Sequence, residues 1–285
     1  MFKLVNLEAA VSELLFDGAK LALEGFSHLV PFAAGHEIIR QGYKNLKLFR
    51  IAPDIIGDQM IGMGCIDELC FGWSGNPGIG SLHRFRDAIE NGYPNKLLLQ
   101  ERTHAGMVSG YTAGAANLPF ALARGHIGTD LAAVSRYIDQ VICPFTGEKL
   151  TAIQAIRPDV GIIHAQQVDK KGNVHLWGLT GIQKEVIYSS TRNLITVEES
   201  VDSFSPRSGS IVLSRNLVDL VSLAPKGAMP SYSQDYYERN ELFYLAWESI
   251  SKDRSTFSAW MEECVLSTKN VTPHLYSTSK FASEQ

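Results

Sequence analysis

Two carboxylates stand out for chemistry along this chain of 285 residues. Glu24 directly follows the apolar run Leu21-Ala22-Leu23, and Glu101 directly follows Leu97-Leu98-Leu99-Gln100. A carboxyl group placed where a strand gives way to a loop can act as nucleophile or general base once burial and neighbours tune its pKa. The same position suits an acid that caps a helix or joins a salt bridge, and the residues alone leave both readings open. His28 and His104 lie at strand-to-helix loops, where open α/β sheets bind ligands. His164, inside an apolar run, reads as a core histidine satisfied by its neighbours.

Other chemistries find little support. Gly75-Asn76-Pro77-Gly78-Ile79-Gly80 has neither the Lys-Ser/Thr of a phosphate loop nor the G-x-G-x-x-G register. A turn that brings backbone close to a ligand or a neighbouring chain fits it better. The eight histidines form no His-x-x-x-His pair on a helix, so no metal site is expected. No Gly-x-Ser-x-Gly elbow occurs. Cys65, Cys70, Cys143 and Cys264 are too scattered for a disulfide scaffold and read as small buried hydrophobes.

The elements that must position these groups alternate. Asn6 can cap a helix whose Leu7, Val11, Leu14 and Leu15 share one face, and Asp17-Gly18 then turns the chain into the strand before Glu24. A helix after Pro31 closes at Gly42, and strands follow at 46–51 and 69–73. A helix starting near Ser81 carries Leu82, Phe85 and Ile89 on one face and stops at Asn91-Gly92. A strand at 97–100 leads to a small-residue helix over about 104–117, and 144–147 is a turn. Residues 160–165 form a run apolar enough for burial on both faces; a strand at 174–177, a helix near 183–190 and a strand at 194–197 complete the unit. Beyond Tyr232 the aromatics multiply, and Phe243, Trp247 and Ile250 are spaced for an amphipathic helix. The expectation is one α/β domain over 1–266, a mostly parallel sheet flanked by helices with a helical C-terminal extension, followed by a flexible Ser/Thr-rich tail over 267–285.

Composition agrees. Thirty acidic and 26 basic side chains leave a charge of −4, which argues against an electrostatic nucleic-acid binder. No apolar run reaches the roughly 18–20 residues of a membrane span. Glu8 and Glu13 interrupt any signal-peptide core, so the cytoplasm is the expected compartment.

Several segments resemble a known family. Asp17-Gly18-Ala19-Lys20-Leu21-Ala22-Leu23-Glu24-Gly25-Phe26 is similar to the first signature of family I coenzyme A transferases. Pro158-Asp159-Val160-Gly161-Ile162-Ile163-His164-Ala165-Gln166-Gln167 and Gly172-Asn173-Val174-His175-Leu176-Trp177-Gly178 are similar to the A subunit of the glutaconate CoA-transferase type. Ala224-Pro225-Lys226-Gly227-Ala228-Met229-Pro230-Ser231-Tyr232 matches another stretch of that type, with methionine in place of histidine. His36-Glu37-Ile38-Ile39-Arg40-Gln41-Gly42 and Gly80-Ser81-Leu82-His83-Arg84 bring the chain nearest to the bacterial 3-oxoadipate members. The resemblance spans roughly residues 7–265.

It implies a chain that works with a B subunit of the same α/β fold, in a heterotetramer or larger assembly with the active site between the two. A B-subunit glutamate attacks the acyl-CoA thioester, and a glutamyl-CoA intermediate hands CoA to a dicarboxylate, of the 3-oxoadipate/succinate or glutaconate type. Coenzyme A is then a substrate, and no cofactor, metal, nucleic acid or membrane is involved. The family's Ser-Glu-Asn-Gly nucleophile motif is absent, and Glu90-Asn91-Gly92 reads as a helix stop. On this resemblance the Gly25-Phe26-Ser27-His28 loop supplies backbone N–H groups near the reacting carbonyl. The loop carrying Asn76, Gly78 and Ser81 holds the substrate carboxylate. Glu24 departs from the signature, which has a second glycine there. Two rivals keep a related sheet: a CoA-thioester hydrolase or decarboxylase using Glu101, and a non-enzymatic ligand-sensing domain.

Overall fold

The computed structural model describes residues 3–77 and 80–268. Of the tail expected over 267–285, residues 269–285 lie outside the described residues. The Asn6 side chain accepts from the Glu8 N–H at 2.9 Å and opens α1 (Leu7–Leu14). The first half then alternates: β1 (Lys20–Glu24), α2 (Phe32–Arg40), β2 (Leu46–Phe49), α3 (Asp54–Gly62), β3 (Ile66–Phe71), α4 (His83–Glu90), β4 (Leu98–Glu101) and α5 (His104–Ala115). Next come β5 (Phe120–Ala123), α6 (Asp130–Val134), β6 (Ile138–Ile142) and β7 (Lys149–Gln154). The chain returns with β8 (Val160–Asp169), β9 (Val174–Leu176), α7 (Gln183–Ser189), β10 (Arg192–Val201), β11 (Ile211–Leu213) and β12 (Leu220–Leu223). It ends with α8 (Glu241–Lys252), α9 (Arg254–Met261) and a π-helical turn, Glu262–Leu266.

Strands β4-β3-β2-β1-β8-β10-β12 lie side by side and all pair in parallel. The short β9 pairs antiparallel with the far end of β8, and β11 pairs antiparallel with β9. The chain winds outward from β1 to β4 and then returns to the other flank of β1 with β8. Alternation along β1 shows how the two helical layers are served: Leu21 and Leu23 pack with residues of α1, α2, α3, α8 and α9, whereas Ala22 packs with Met107 and Tyr111 of α5 and Val186 and Ile187 of α7. Glu24, two residues beyond Ala22, is therefore directed to the α5/α7 side.

Three features differ from the sequence expectation. Helix α3 follows Pro53 and is nearly all buried, so it carries little amphipathic contrast for periodicity to detect. Strand β10 runs ten residues, because it pairs with β8 along its whole length. The segment read as a lone turn at 144–147 joins β6 to β7 within a separate antiparallel sheet, β5-β7-β6. Its strands are short and one-sided, with Ile138, Leu150 and Ile153 turned inward and Phe120, Leu122 and Ile142 exposed. Among the described residues no helix is long and apolar enough to cross a membrane.

The aromatic C-terminal helices are built into the first layer. Trp247 and Trp260 are fully buried with ring centroids 5.4 Å apart, and Phe257 meets Trp247 edge-on at 6.0 Å. Trp247 Nε1–H donates to Asp58 at 3.0 Å, tying α8 to α3. Asp87 on α4 accepts twice from Arg254 of α9 at 2.7 Å, from Arg84 at 3.1 Å and from Asn91 at 2.7 Å. The Arg254 hydrogen bonds, joined by those of Asn91 and the charge of Arg84, pull its carboxyl down to about 2 against the opposing effect of burial. Removing this carboxylate leaves the buried Arg84 guanidinium with the Lys252 carbonyl but without its ion-pair partner. Asp87→Ala is expected to cost roughly 3 kcal/mol, read as a lowered urea midpoint by tryptophan fluorescence; a change within about 0.5 kcal/mol, the usual range for a surface substitution, would contradict the role assigned to it.

Candidate active site

Arg50 follows β2 and is completely buried. Its guanidinium donates to the Leu23 carbonyl, to the Gly25 carbonyl at 3.0 Å and to the Pro53 carbonyl at 2.8 Å. It thus clamps the end of β1 against the turn into α3. Glu24, 1% exposed, accepts from the Ile51 N–H at 2.7 Å. Among the described residues it makes no ion pair, because the nearby guanidinium is engaged by carbonyl groups. Burial dominates and raises its carboxyl to about 7, while the Arg50 charge and the Ile51 and Gly25 N–H groups act in the opposite direction.

The next residue explains the sharp turn. A Cβ on Gly25 would lie 2.4 Å from the Leu29 carbonyl oxygen, so only glycine lets the chain fold back so closely. Ser27 and Leu29 have φ of 57° and 51°. The Leu29 N–H donates to the Tyr232 carbonyl at 3.0 Å, fastening the loop to the segment after β12.

Beside this turn opens a cavity of about 530 Å³. Glu24, Gly25, Phe26 and Ile51 form one wall. His104, Val108 and Thr112, spaced four apart on α5, form a second, and residues 180–183 with Glu185 form the third. The Phe26 and His104 rings meet edge-on at 5.9 Å. The cavity lies outside the carboxyl ends of β1 and β2, where strand order reverses between β1 and β8; this is the topological switch point at which open α/β sheets bind ligands.

The residues singled out from the sequence divide here. Gly25 and Phe26 line the cavity, as do Glu24 and His104. Ser27 and His28 of the same loop are not among its lining. His28 is fully buried: its Nε2 accepts from the Gln234 N–H at 3.0 Å, so Nδ1 carries the proton donated to the Leu179 carbonyl at 3.0 Å. Burial holds its pKa below the ordinary histidine range. His28 is a neutral strut joining the turn to the chain after β9, and Gly178 (φ 90°) keeps that contact open, since a Cβ there would sit 2.8 Å from the ring. Asn76 and Ser81 belong to another neighbourhood: Asn76 Nδ2 donates to the Tyr244 carbonyl at 2.8 Å, and the Ser81 N–H donates to Glu248 at 2.9 Å, both on α8. The structure does not bring them to the cavity that Gly25 lines, and Gly78 lies outside the described residues. Glu101 ends β4 at the sheet edge, exposed and not part of the cavity lining.

His164 bridges Thr196 at 2.8 Å and Glu198 at 2.7 Å within the core. Among the described residues no three His, Cys, Asp or Glu side chains gather to hold a metal ion. Sequence reasoning missed Arg50, Ile51, Gln183 and Glu185. Arg50 had a weak signal, a charged residue near the end of the run expected as a strand over 46–51, which the structure ends at Phe49. Gln183 and Glu185 had none, because an ordinary helix start does not disclose what it faces.

A carboxyl whose folded pKa is raised binds its proton more tightly in the folded state, so it lowers stability as pH climbs from the unfolded value through the folded one. For Glu24 that window runs from about 4.3 to about 7. Glu24→Gln removes the titration. The stability of the variant relative to the native chain should therefore grow by roughly 3 kcal/mol between pH 4 and 7.5 and stay level above. Urea unfolding at both pH values checks it, and a gap independent of pH would refute the raised pKa.

A family model described as coenzyme A transferase matches residues 4–223. The chain is 50% identical over 270 residues to the A subunit of 3-oxoadipate CoA-transferase from Pseudomonas knackmussii, covering 95% of this chain and 96% of the relative. The crystal structure of glutaconate coenzyme A-transferase from Acidaminococcus fermentans superimposes with a TM-score of 0.87 at 26% identity, over 98% of this chain and 92% of that one. The decarboxylase AibA/AibB superimposes with a TM-score of 0.80 at 25% identity, over 91% and 98%. With half its residues shared along nearly its whole length and the family's fold around a switch-point cavity, this chain belongs to the coenzyme A transferase family.

Proposed function

We propose that the chain is the A subunit of a two-subunit CoA-transferase that moves CoA between an acyl-CoA and a dicarboxylic acid, of the 3-oxoadipate/succinate or glutaconate type. The observation that carries this reading is the 50% identity to the Pseudomonas relative over 95% of the chain. The cavity supports it. Its walls mix apolar and polar groups and leave room for a short acyl chain, yet among the described residues its carboxylates are Glu24, fastened to backbone N–H, and Glu185.

In this reading a B-subunit glutamate attacks the thioester carbonyl, breaking the C–S bond, so that CoA leaves as thiolate and an acyl–glutamyl anhydride forms. The thiolate then attacks the glutamyl carbonyl of that anhydride, releasing the first acid as carboxylate and leaving a glutamyl-CoA thioester. The acceptor carboxylate attacks the thioester and repeats the sequence in reverse. Each step exchanges one acyl bond for another, so CoA enters and leaves as substrate and no cofactor is consumed. The Gly25–Phe26 turn supplies backbone N–H groups toward the reacting carbonyl, and the A–B pairs assemble as a heterotetramer or larger. Among the described residues the four cysteines form no disulfide, which suits the reducing cytoplasm.

The likeness to a decarboxylase favours a second reading, in which Glu101 serves as acid or base on a CoA thioester. Glu101 lies three residues before His104, which lines the cavity. Purified alone, the chain should transfer no CoA; produced with its B subunit, it should show ping-pong exchange and yield a hydroxamate on a B-subunit glutamate when trapped with hydroxylamine. Full exchange by the chain alone would overturn the proposal. Glu101→Gln should leave exchange within about twofold, whereas a loss of 10²-fold or more would favour the second reading.

A further inference from the structure

A second cavity, of about 490 Å³, opens on the same face of the central sheet, nearer the start of the strands. Lys20, Ala22 and Glu24 alternate to one face of β1, so Lys20 stands roughly 13 Å from Glu24 along the strand. Five positive groups line this cavity, Lys20, Lys47, Arg102, Arg136 and Arg157, and among the described residues Glu68 is its one carboxylate. The chain as a whole carries a charge of −4, and the cavity beside Glu24 is lined by no described lysine or arginine. Lys20 and Lys47 are register partners on neighbouring parallel strands, on one face, where like charges repel.

Glu68 does not balance this set. Its carboxylate lies 3.4 Å from Lys47 and from Arg136, and it also accepts from Tyr137 and Gln100. Arg157 donates to Asn117 Oδ1 at 2.6 Å and to the Leu118 carbonyl at 3.1 Å. The buried Arg102 donates to the Gln154 carbonyl at 2.9 Å and to Gln100 Oε1 at 3.3 Å. These acceptors are neutral. Asp159, the acid next to Lys20, binds its backbone N–H at 2.8 Å, and among the described residues the Lys20 ammonium has no ion pair. Tyr137 already meets the Arg102 and Arg136 guanidinium groups at 5.3 and 4.9 Å, and Phe49 is packed into the core. The cavity therefore offers charge rather than a platform for stacking.

We propose that this second cavity binds a phosphate-bearing small molecule through its phosphoryl groups, with diphosphate as the minimal ligand. Lys20 and Lys47 belong to the strands that form the floor, whereas Arg136 precedes β6 and Arg157 follows β7, so positive charge meets the ligand from several sides. Tetrahedral phosphoryl oxygens project in all directions and suit that arrangement; a carboxylate presents two oxygens in one plane. A bound phosphoryl group relieves the repulsion between Lys20 and Lys47 and supplies the negative charge that Glu68 leaves short. The proposal stands apart from the CoA-transferase reading. Two sources carry such a group, coenzyme A and a separate phosphate ester, and competition by coenzyme A against bound diphosphate tells them apart.

The test is calorimetric titration of sodium diphosphate, at physiological ionic strength, into the full chain alone and into the two-subunit enzyme. Both should bind it saturably. Lys20→Gln and Arg136→Gln should each weaken binding by about tenfold, the loss of one charge-assisted contact. Lys20→Gln should melt no lower than the native chain when diphosphate is absent, because the substitution removes a repulsion, yet gain less from added diphosphate. Arg124→Gln serves as the control: Arg124 lies on the same small sheet, pairs with Glu148 and is not part of the lining. Undiminished binding by the Lys20→Gln, Arg136→Gln double variant, or citrate binding as tightly as diphosphate, would overturn the proposal. So would binding by the chain alone that the two-subunit enzyme lacks, which would make this cavity a contact with the B subunit.

Discussion

A single buried cation organises the functional end of this molecule. The Arg50 guanidinium is fully buried and, among the described residues, binds no carboxylate; its charge is met by the carbonyl groups of Leu23, Gly25 and Pro53. Burying a guanidinium without such partners is prohibitively costly. The ends of β1 and β2 must therefore stop, splay and turn their carbonyls inward at this point. That fixes where the strands end, hence where the cavity begins. It also leaves Glu24 beside a positive charge that is already engaged, which is why burial rather than ion pairing governs its proton.

Alternation then decides which layer receives the carboxyl. Leu21 and Leu23 face the larger helical layer, Ala22 and Glu24 the layer of α5 and α7. The small Ala22 admits Met107 and Tyr111 closely, while on the same helix the stripe of His104, Val108 and Thr112 stands back and leaves room for a ligand. A parallel sheet wound outward in one direction and then resumed on the other flank of its first strand has no connection covering that seam. The cavity is a consequence of winding order as much as of the residues that line it.

Elsewhere charge is used for fastening. Asp58 and Asp87 secure the C-terminal helices to α3 and α4. Glu68 on β3 accepts from Tyr137 at 3.1 Å and from Gln100 at 3.2 Å, joining the small antiparallel sheet to the central one. These acids looked alike in the sequence, because a carboxylate that anchors a helix and one that meets a ligand occupy similar positions at element ends. Glu24 and Glu101 illustrate it: both follow short apolar strands, yet one lies at the sheet centre within a cavity and the other at an exposed edge. His28 was conspicuous at a strand-to-helix loop and proved to be a buried strut, since a loop position does not reveal which partners fold down on it.

Much was determined by the sequence itself. The apolar runs of β1 and β8, the caps at Asn6 and Gly42, the aromatic spacing of α8 and the parallel α/β class all follow from local periodicity and turn chemistry, which act over a few residues. The tertiary structure alone decided which strand ends meet. Glu24, Ile51, His104 and Gln183 come from separate stretches of chain and share one cavity only after β8 returns beside β1. Asn76 and Ser81, which sequence reasoning grouped with the Gly25 loop, were drawn instead to α8 by Tyr244 and Glu248. Local propensity sets the elements, but the proton on Glu24 depends on burial and on a guanidinium held by the Pro53 carbonyl and by the distant Leu23 and Gly25 carbonyls, and that arrangement does not exist until the sheet has closed.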